Sequence, residues 1–442
     1  MPLPKLPAGI LERGVLKLRQ VEAAIRNDLT RRQVIATIAE YLRDSEEKLI
    51  ALLRGEKPHV DAPGRTEFGA ILYYLRDASR LAGIIPERIG LPESRLTDEL
   101  IAGLLKNFAL VTGDGSLIGF GKWESFDPEW IESAANYFLL KIGEIELHPI
   151  GPLPAPVPLQ SGPVTIALVG DWGTGKWGKQ MAPALAVMNQ IVKLKPNYTI
   201  HLGDVYYSGT KAEEDANYVK FWKAATDGNF MLNSNHEMYT GANGYFDVGL
   251  ADPPFALQKR SSCFALMNDK VVILGLDSAY NDTSILFQKG GIPSTSWQIP
   301  FIQSLNIGKR KLIVLTHHNG LSTSGGQTIG LWQDMYAALG NRYPDYWYWG
   351  HVHNGIVYKP RTETVNGKKV TVLARCTGHG AIPFGNGKDI PGAGFVEYYA
   401  HTPNPTAPPI RKRVMNGFTV LTIDGANVSE VWYNQNGKKA WP

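Results

Sequence analysis

The hydrophobic rhythm of the chain changes near residue 147. Before that point, apolar residues recur mostly at helical spacing. "LERGVLKLRQVEAAI" has this period, and "TRRQVIATIAEYL" opens on Thr30 and Gln33, spaced as a capping box. "DPEWIESAANYFLLKI" predicts a helix with Asp127 as N-cap and Pro128 in its first turn. Between these lies "ALVTGDGSLIGFG", which predicts a hairpin turning at Asp114-Gly115. Residues 1–147 are therefore expected to form a mainly helical N-terminal domain. The next stretch, "HPIGPLPAPVPLQSGP" at 148–163, is too rich in proline for a helix or a central strand. It predicts a linker or a strap laid over the surface. From 164 the rhythm becomes that of strands. "VTIALVGD", "YTIHLGD", "VVILGLD", "KLIVLTHH", "YWYWGHVH", "KVTVLARC" and "FTVLTID" are short runs rich in β-branched and aromatic residues. Longer segments separate them, so residues 164–442 predict a layered α/β domain.

Composition narrows the classes. At 442 residues, two domains are the default. A hydrophobic fraction of 44% with 19% charged residues belongs to a globular chain. The net charge of +4 is spread out, and no basic run is dense enough to point to nucleic acid. Cys263 and Cys376 are expected to be buried thiols. The N-terminal "MPLPKLPAGILERG" lacks a secretory apolar core, and no apolar window reaches membrane-spanning length. The expectation is a cytoplasmic protein.

One stretch has two readings. In "VGDWGTGKWGKQ", Gly170, Gly175 and Lys176 stand at the spacing of a nucleotide phosphate loop. Such a loop needs Ser or Thr after the lysine to hold magnesium, and here the residue is Trp177. Asp171 would also meet incoming phosphates with like charge. The stronger reading makes Asp171 a carboxylate at a strand's C-terminal end, where open α/β sheets place ligands.

Other strand ends carry similar residue types. Asp204 and Tyr207 follow "YTIHLG", while Asn235 and His236 sit in "NSNHEMY". His317 and His318 follow "IVLT", and His351 and His353 frame "GHVH". Singly, each is more simply a helix cap or a satisfied histidine. Together they point to a metal site.

The ordered set resembles the calcineurin-like metallophosphoesterases over about 164–442. That superfamily uses D-x-H, G-D-x-x-D, G-N-H-E, a lone His after a strand, and G-H-x-H. Here Gly173 replaces the His of the first motif and Tyr207 the last Asp of the second. This paired change resembles the purple acid phosphatase branch, in which a phenolate restores the lost donor and suits Fe(III). The resemblance implies a β-sheet sandwich flanked by helices. It implies two metal ions, Fe(III) plus a divalent ion (Fe, Zn or Mn). Asp171, Asp204, Tyr207 and His353 would hold the first. Asp204, Asn235, His317 and His351 would hold the second, with Asp204 bridging. The implied reaction is hydrolysis of small-molecule phosphate monoesters or diesters by a metal-bound hydroxide. His236 would protonate the leaving oxygen, with Glu237 orienting it.

His318 and His379 are further candidates for substrate contact, with a structural role as the alternative for each. His201 is expected to be a buried, hydrogen-bonded residue. Ser234 stands where the superfamily has Gly. No His follows His318 within "NGLSTSGGQT", where eukaryotic purple acid phosphatases have one for substrate. The N-terminal half has no counterpart in that branch, and its helices could form an oligomer interface, a lid or a regulatory module. The rival expectation is a catalytically idle scaffold on the same fold.

Overall fold

A computed structural model describes residues 109–111, 117–119, 123, 130–176, 181–223, 225–382, 393–404 and 414–442, with Gln20 and Ala23. Of "LERGVLKLRQVEAAI" only Gln20 and Ala23 are described, both helical; the predicted helix at "TRRQVIATIAEYL", the caps at Asp127 and Pro128, and the turn at Asp114-Gly115 lie outside the described residues. Strands β1 (Ala109–Val111) and β2 (Leu117–Gly119) pair antiparallel, as the hairpin reading expects. The following segment forms helix α1 (Trp130–Lys141).

The first sheet contains β4 (Val164–Val169), β5 (Tyr198–His201) and β6 (Gly228–Met231), paired parallel. Strands β15 (Gly417–Asp424), β16 (Asn427–Asn434) and β17 (Lys439–Trp441) extend it antiparallel beyond β4. The second sheet is larger. Its parallel centre is β8 (Val271–Gly275), β9 (Lys311–Thr316), β10 (Tyr346–Trp349) and β13 (Lys368–Thr377). Strand β7 (Phe264–Met267) flanks β8 antiparallel. Strands β11 (Gly355–Tyr358) and β12 (Arg361–Val365) flank β13, and β14 (Val396–Tyr399) closes that side against β11.

The Pro-rich segment is a strap with one point of strand pairing. Val157–Pro158 forms β3, which adds parallel to β7 at the sheet edge. An edge is where a strand proline is tolerated, because its missing N–H costs no ladder bond. Elsewhere the strap is tied by His148, whose N–H donates to the Gly241 carbonyl at 2.8 Å and whose carbonyl accepts from the Tyr280 hydroxyl at 2.6 Å.

The inner faces of the sheets meet in a core of Ile166, Leu168, Ile200, Phe230, Leu266, Ile273, Ile313 and Leu315. Alternation along each strand sends the other side chains outward to a second layer. Helix α2 (Pro183–Leu194) covers the first sheet through Ala184, Val187, Met188 and Ile191, in a cluster that also holds Trp130 and Tyr137 of α1. Helix α3 (Asn235–Met238) is a single turn after β6. Helices α4 (Ile299–Ser304) and α5 (Gly330–Ala338) cover the second sheet, where Trp332 stacks on Trp347 with centroids 5.2 Å apart. The sandwich flanked by helices is thus the architecture of the described chain. Cys263 and Cys376 are buried free thiols, each pushed up to about 12 by burial. No helix among the described residues is long and apolar enough to cross a membrane.

Candidate metal centre

The C-terminal ends of β4, β5, β6, β9 and β10 open onto one face. The residues that follow are Asp171, Asp204, Asn235, His317, and His351 with His353. Four of them, Asp171, Asp204, His351 and His353, have positive φ, of 56°, 78°, 64° and 51°. Non-glycine residues avoid this region, and such strain clusters at functional sites where surrounding structure enforces it. Gly203 takes φ 99°, and a Cβ there would lie 2.7 Å from His317 Nδ1. The glycine therefore lets the imidazole close over the turn.

Two groups of donors form around Asp204. Its Oδ1 lies 3.2 Å from His317 Nε2, and that nitrogen lies 2.8 Å from Asn235 Oδ1 and 3.2 Å from His351 Nδ1. Its Oδ2 accepts from the Tyr206 hydroxyl at 2.9 Å and lies 3.8 Å from His353 Nε2. The same hydroxyl is 3.3 Å from Asp171 Oδ1 and 3.2 Å from His353 Nε2. One carboxylate thus faces a group of Asn235, His317 and His351 with one oxygen. With the other it faces Asp171, Tyr206 and His353.

The tyrosine differs from the sequence expectation. The hydroxyl brought to the carboxylates is that of Tyr206. The Tyr207 ring instead stacks on Trp123, with centroids 4.2 Å apart, and meets Trp130 edge-on at 4.7 Å. The physical reason is a choice between burial partners. Tyr207 fills an aromatic slot beside α1, and its neighbour turns to the polar side. Gly173 also acquires a packing reason. A Cβ there would come within 2.6 Å of the Asp204 carbonyl and the Val205 Cα, so the turn has no room for the superfamily's imidazole.

His236 lies beside the cluster, with Nε2 3.7 Å from Asp204 Oδ2. Its Nδ1 is 2.7 Å from the Tyr207 carbonyl, which fixes the ring and leaves Nε2 facing inward. Glu237 does not orient it. That carboxyl accepts from the Val205 N–H at 3.0 Å and from the Ser234 hydroxyl. Ser234 caps α3 by accepting from the His236 N–H at 3.0 Å, and its hydroxyl lies between the Glu237 and Asp204 carboxyls, with one proton to share between them. The turn thus accommodates a serine where the superfamily has glycine, and uses it as a helix cap.

Ligand-type atoms of His317, His318 and His351 also lie within 4.8 Å of one another. Both His318 nitrogens are engaged elsewhere, with Ser278 Oγ at 2.9 Å and the Phe287 carbonyl at 2.7 Å. His379 is buried between Gly355 and Gly417, with its ring stacked on Trp432 at 5.8 Å. His201 is buried, but among the described residues neither ring nitrogen has a hydrogen-bond partner, contrary to expectation.

The donor chemistry fits metal cations. Burial holds His317 down to about 3, and burial with neighbouring imidazoles holds His351 well below its ordinary value, so both are neutral with lone pairs available. His317 Nδ1 is 2.8 Å from the Leu202 carbonyl, which directs Nε2 to the cluster. Burial and the adjacent Asp204 push Asp171 well above the usual carboxylate range. Burial opposes ionisation of Asp204 too, but the nearby His236 and hydrogen bonds with His353 and Asp171 hold it well below that range. Two buried carboxylates facing each other are the situation a cation relieves. Most donors are buried, and His353, with 14% of its side chain exposed, marks the side nearest solvent.

Residues 164–355 match the sequence model of the calcineurin-like phosphoesterase family. This segment is a calcineurin-like phosphoesterase domain, and the cluster lies on it. Among solved structures, the chain is similar to a purple acid phosphatase, PPD1, from yellow lupin (Lupinus luteus) seeds. Identity is 16%, the TM-score is 0.44, and the match covers 65% of this chain and 54% of that one. The chain thus spans about half the length of that protein. It is also similar to GAP50, the anchor in the inner membrane complex of Plasmodium, at 13% identity and TM-score 0.38, covering 63% and 87% of the two chains. A predicted phosphoesterase from Streptococcus pneumoniae matches at 10% identity and TM-score 0.23, covering 63% and 93%. No curated protein matches the sequence significantly.

Sequence reasoning missed Tyr206, which carries the same chemistry as its neighbour and is distinguished only by the direction of its side chain. It also missed the contacts of α1 with the site, since nothing in "WIESAANYFLLK" marks a residue that touches a catalytic loop.

Proposed function

We propose that the protein hydrolyses phosphate esters with two metal ions held around Asp204. The observation that supports this most directly is the division of donors between the two oxygens of that carboxylate. Asn235, His317 and His351 would hold one ion. Asp171, His353 and Tyr206 would hold the other, with iron(III) suited to the tyrosine oxygen and iron, zinc or manganese(II) to the imidazole side. When bound, such a pair neutralises phosphoryl charge and supplies a nucleophile at neutral pH.

The chain's own groups do the rest. The neutral imidazoles of His317 and His351 keep their lone pairs directed inward. His236, anchored through Nδ1–H, presents Nε2 beside Asp204, where the doubly protonated ring would donate its Nε2 proton to the leaving oxygen and remain as the Nδ1–H imidazole. Both monoesters and diesters suit this arrangement.

The test is metal analysis of the purified protein, run alongside hydrolysis of a nitrophenyl phosphate monoester and a nitrophenyl phosphodiester. Two metals per chain with turnover of either ester supports the proposal. A fully loaded protein that turns over neither identifies an idle scaffold.

A further inference from the structure

Helix α1 precedes the phosphoesterase domain, yet its first turns reach the site. The Ser133 hydroxyl donates to the Tyr207 carbonyl at 2.9 Å, and the Trp130 ring lies 5.5 Å from the His236 ring. The Tyr207 carbonyl is the same atom that anchors His236 Nδ1 at 2.7 Å. Ser133 and Trp130 are both fully buried, and His236 is nearly so.

The peptide carrying this carbonyl is held from several sides. The Tyr207 N–H donates to Glu213 Oε1 at 2.5 Å. The Ser208 and Thr210 N–H groups donate to Glu213 Oε2 at 3.1 and 2.9 Å. The Ser208 hydroxyl donates to Ser133 Oγ at 3.1 Å. A carbonyl oxygen has two lone pairs. Here one serves the imidazole and the other serves Ser133.

We infer that Ser133 is a positioning residue for His236, acting through the Tyr207 carbonyl. The segment before the phosphoesterase domain thereby contributes to the catalytic geometry. This rests on the proposed role of His236 as proton donor. Ser133 touches neither the metal donors nor the leaving group. Its effect is to fix the acceptor that sets the direction of Nε2.

The experiment compares Ser133→Ala, Ser133→Thr and Ser208→Ala in the full-length protein. Ser133→Ala should lower kcat for an alkyl phosphate ester by roughly three- to tenfold, the effect of one hydrogen bond. KM and metal content should hold. The nitrophenyl ester should be less affected, because its leaving group needs little protonation. Ser133→Thr should restore the rate, and Ser208→Ala, which leaves the bond to Tyr207 in place, should stay near wild type. Nitrogen-15 imidazole spectra of the metal-free protein give a readout independent of turnover, with His236 assigned from His236→Asn. The His236 signal should show a proton held on Nδ1 in the wild type and shift or broaden in Ser133→Ala only.

Equal kcat and an unchanged His236 signal in Ser133→Ala would overturn the inference. So would equal losses in all three variants, which would indicate that the serines only hold α1 in place. If wild type turns over no ester while the imidazole signal still responds to Ser133→Ala, the proposed function fails and the positional link stands.

Discussion

The Tyr206 hydroxyl lies 2.9 Å from Asp204 Oδ2, on the side of that carboxylate facing Asp171 and His353. This places an oxygen donor one position earlier than the superfamily spacing suggests. If it binds iron(III), the oxidised protein should absorb visible light through phenolate-to-metal charge transfer. Tyr206→Phe should bleach the band and weaken iron retention. Tyr207→Phe should keep the colour, because that ring packs on Trp123 and Trp130. An absorption spectrum of each iron-loaded variant decides it, and the opposite pattern would return the role to Tyr207.

Asp204 faces both donor groups, so Asp204→Ala should lose both metals together with all hydrolysis. Asp171→Ala removes a donor from one group only and should retain the other metal. Elemental analysis checks this directly. Two metals retained without Asp204 would show that the bridge lies elsewhere.

His236→Ala should keep its metals and lose roughly 10²–10⁴ in rate, the usual size of a general-acid contribution. The loss should be greater for an alkyl than for a nitrophenyl ester. A fall in metal content would instead make His236 a ligand.

Arg375 and Glu430 join the two sheets from β13 and β16, with Nη2 and Oε1 2.7 Å apart. The Tyr348 hydroxyl adds a bond to Glu430 Oε2 at 2.8 Å. Both charged side chains are more than nine-tenths buried. Glu430→Ala would leave the guanidinium buried without its partner, at a cost of about 3–5 kcal/mol. Urea unfolding should show this. A loss under about 1 kcal/mol would mean that water reaches the arginine.

His201 is held down to about 3 by burial, well under the ordinary histidine value of about 6.5. The unfolded chain therefore binds a proton that the folded chain refuses. Stability from this group is full above pH about 6.5 and is lost as pH falls toward 3, at up to about 1.4 kcal/mol per pH unit. His201→Phe should flatten the acid limb of a plot of unfolding free energy against pH. An unchanged slope would show that the imidazole is protonated in the fold.

The sequence by itself determined the strands and the residues that end them. "VTIALVGD", "YTIHLGD", "KLIVLTHH" and "YWYWGHVH" each carry a buried-strand run followed at once by a donor, and the structure brings those donors onto one face. The reason is local. Strand burial and strand-end position are both written in a few consecutive residues. The antiparallel additions were less legible. Strand β12 alternates half-buried and exposed positions and β16 is mostly half-buried, so neither carries the buried-strand run of the central strands.

The tertiary structure alone decided which tyrosine faces the cluster and what anchors His236. Tyr206 and Tyr207 have the same chemistry, so composition and spacing could not rank them. The ranking came from packing: Tyr207 stacks on Trp123 at 4.2 Å, while Tyr206 meets Trp123 and Trp130 only at 5.8 and 6.0 Å and turns its hydroxyl to the carboxylates. Likewise Glu237, next in sequence to His236, turns to Val205 and Ser234, while the imidazole is anchored by a carbonyl 29 residues away and Ser133 reaches that carbonyl from 74 residues away. Contacts over such separations are selected by packing, which brings together groups that no local pattern relates.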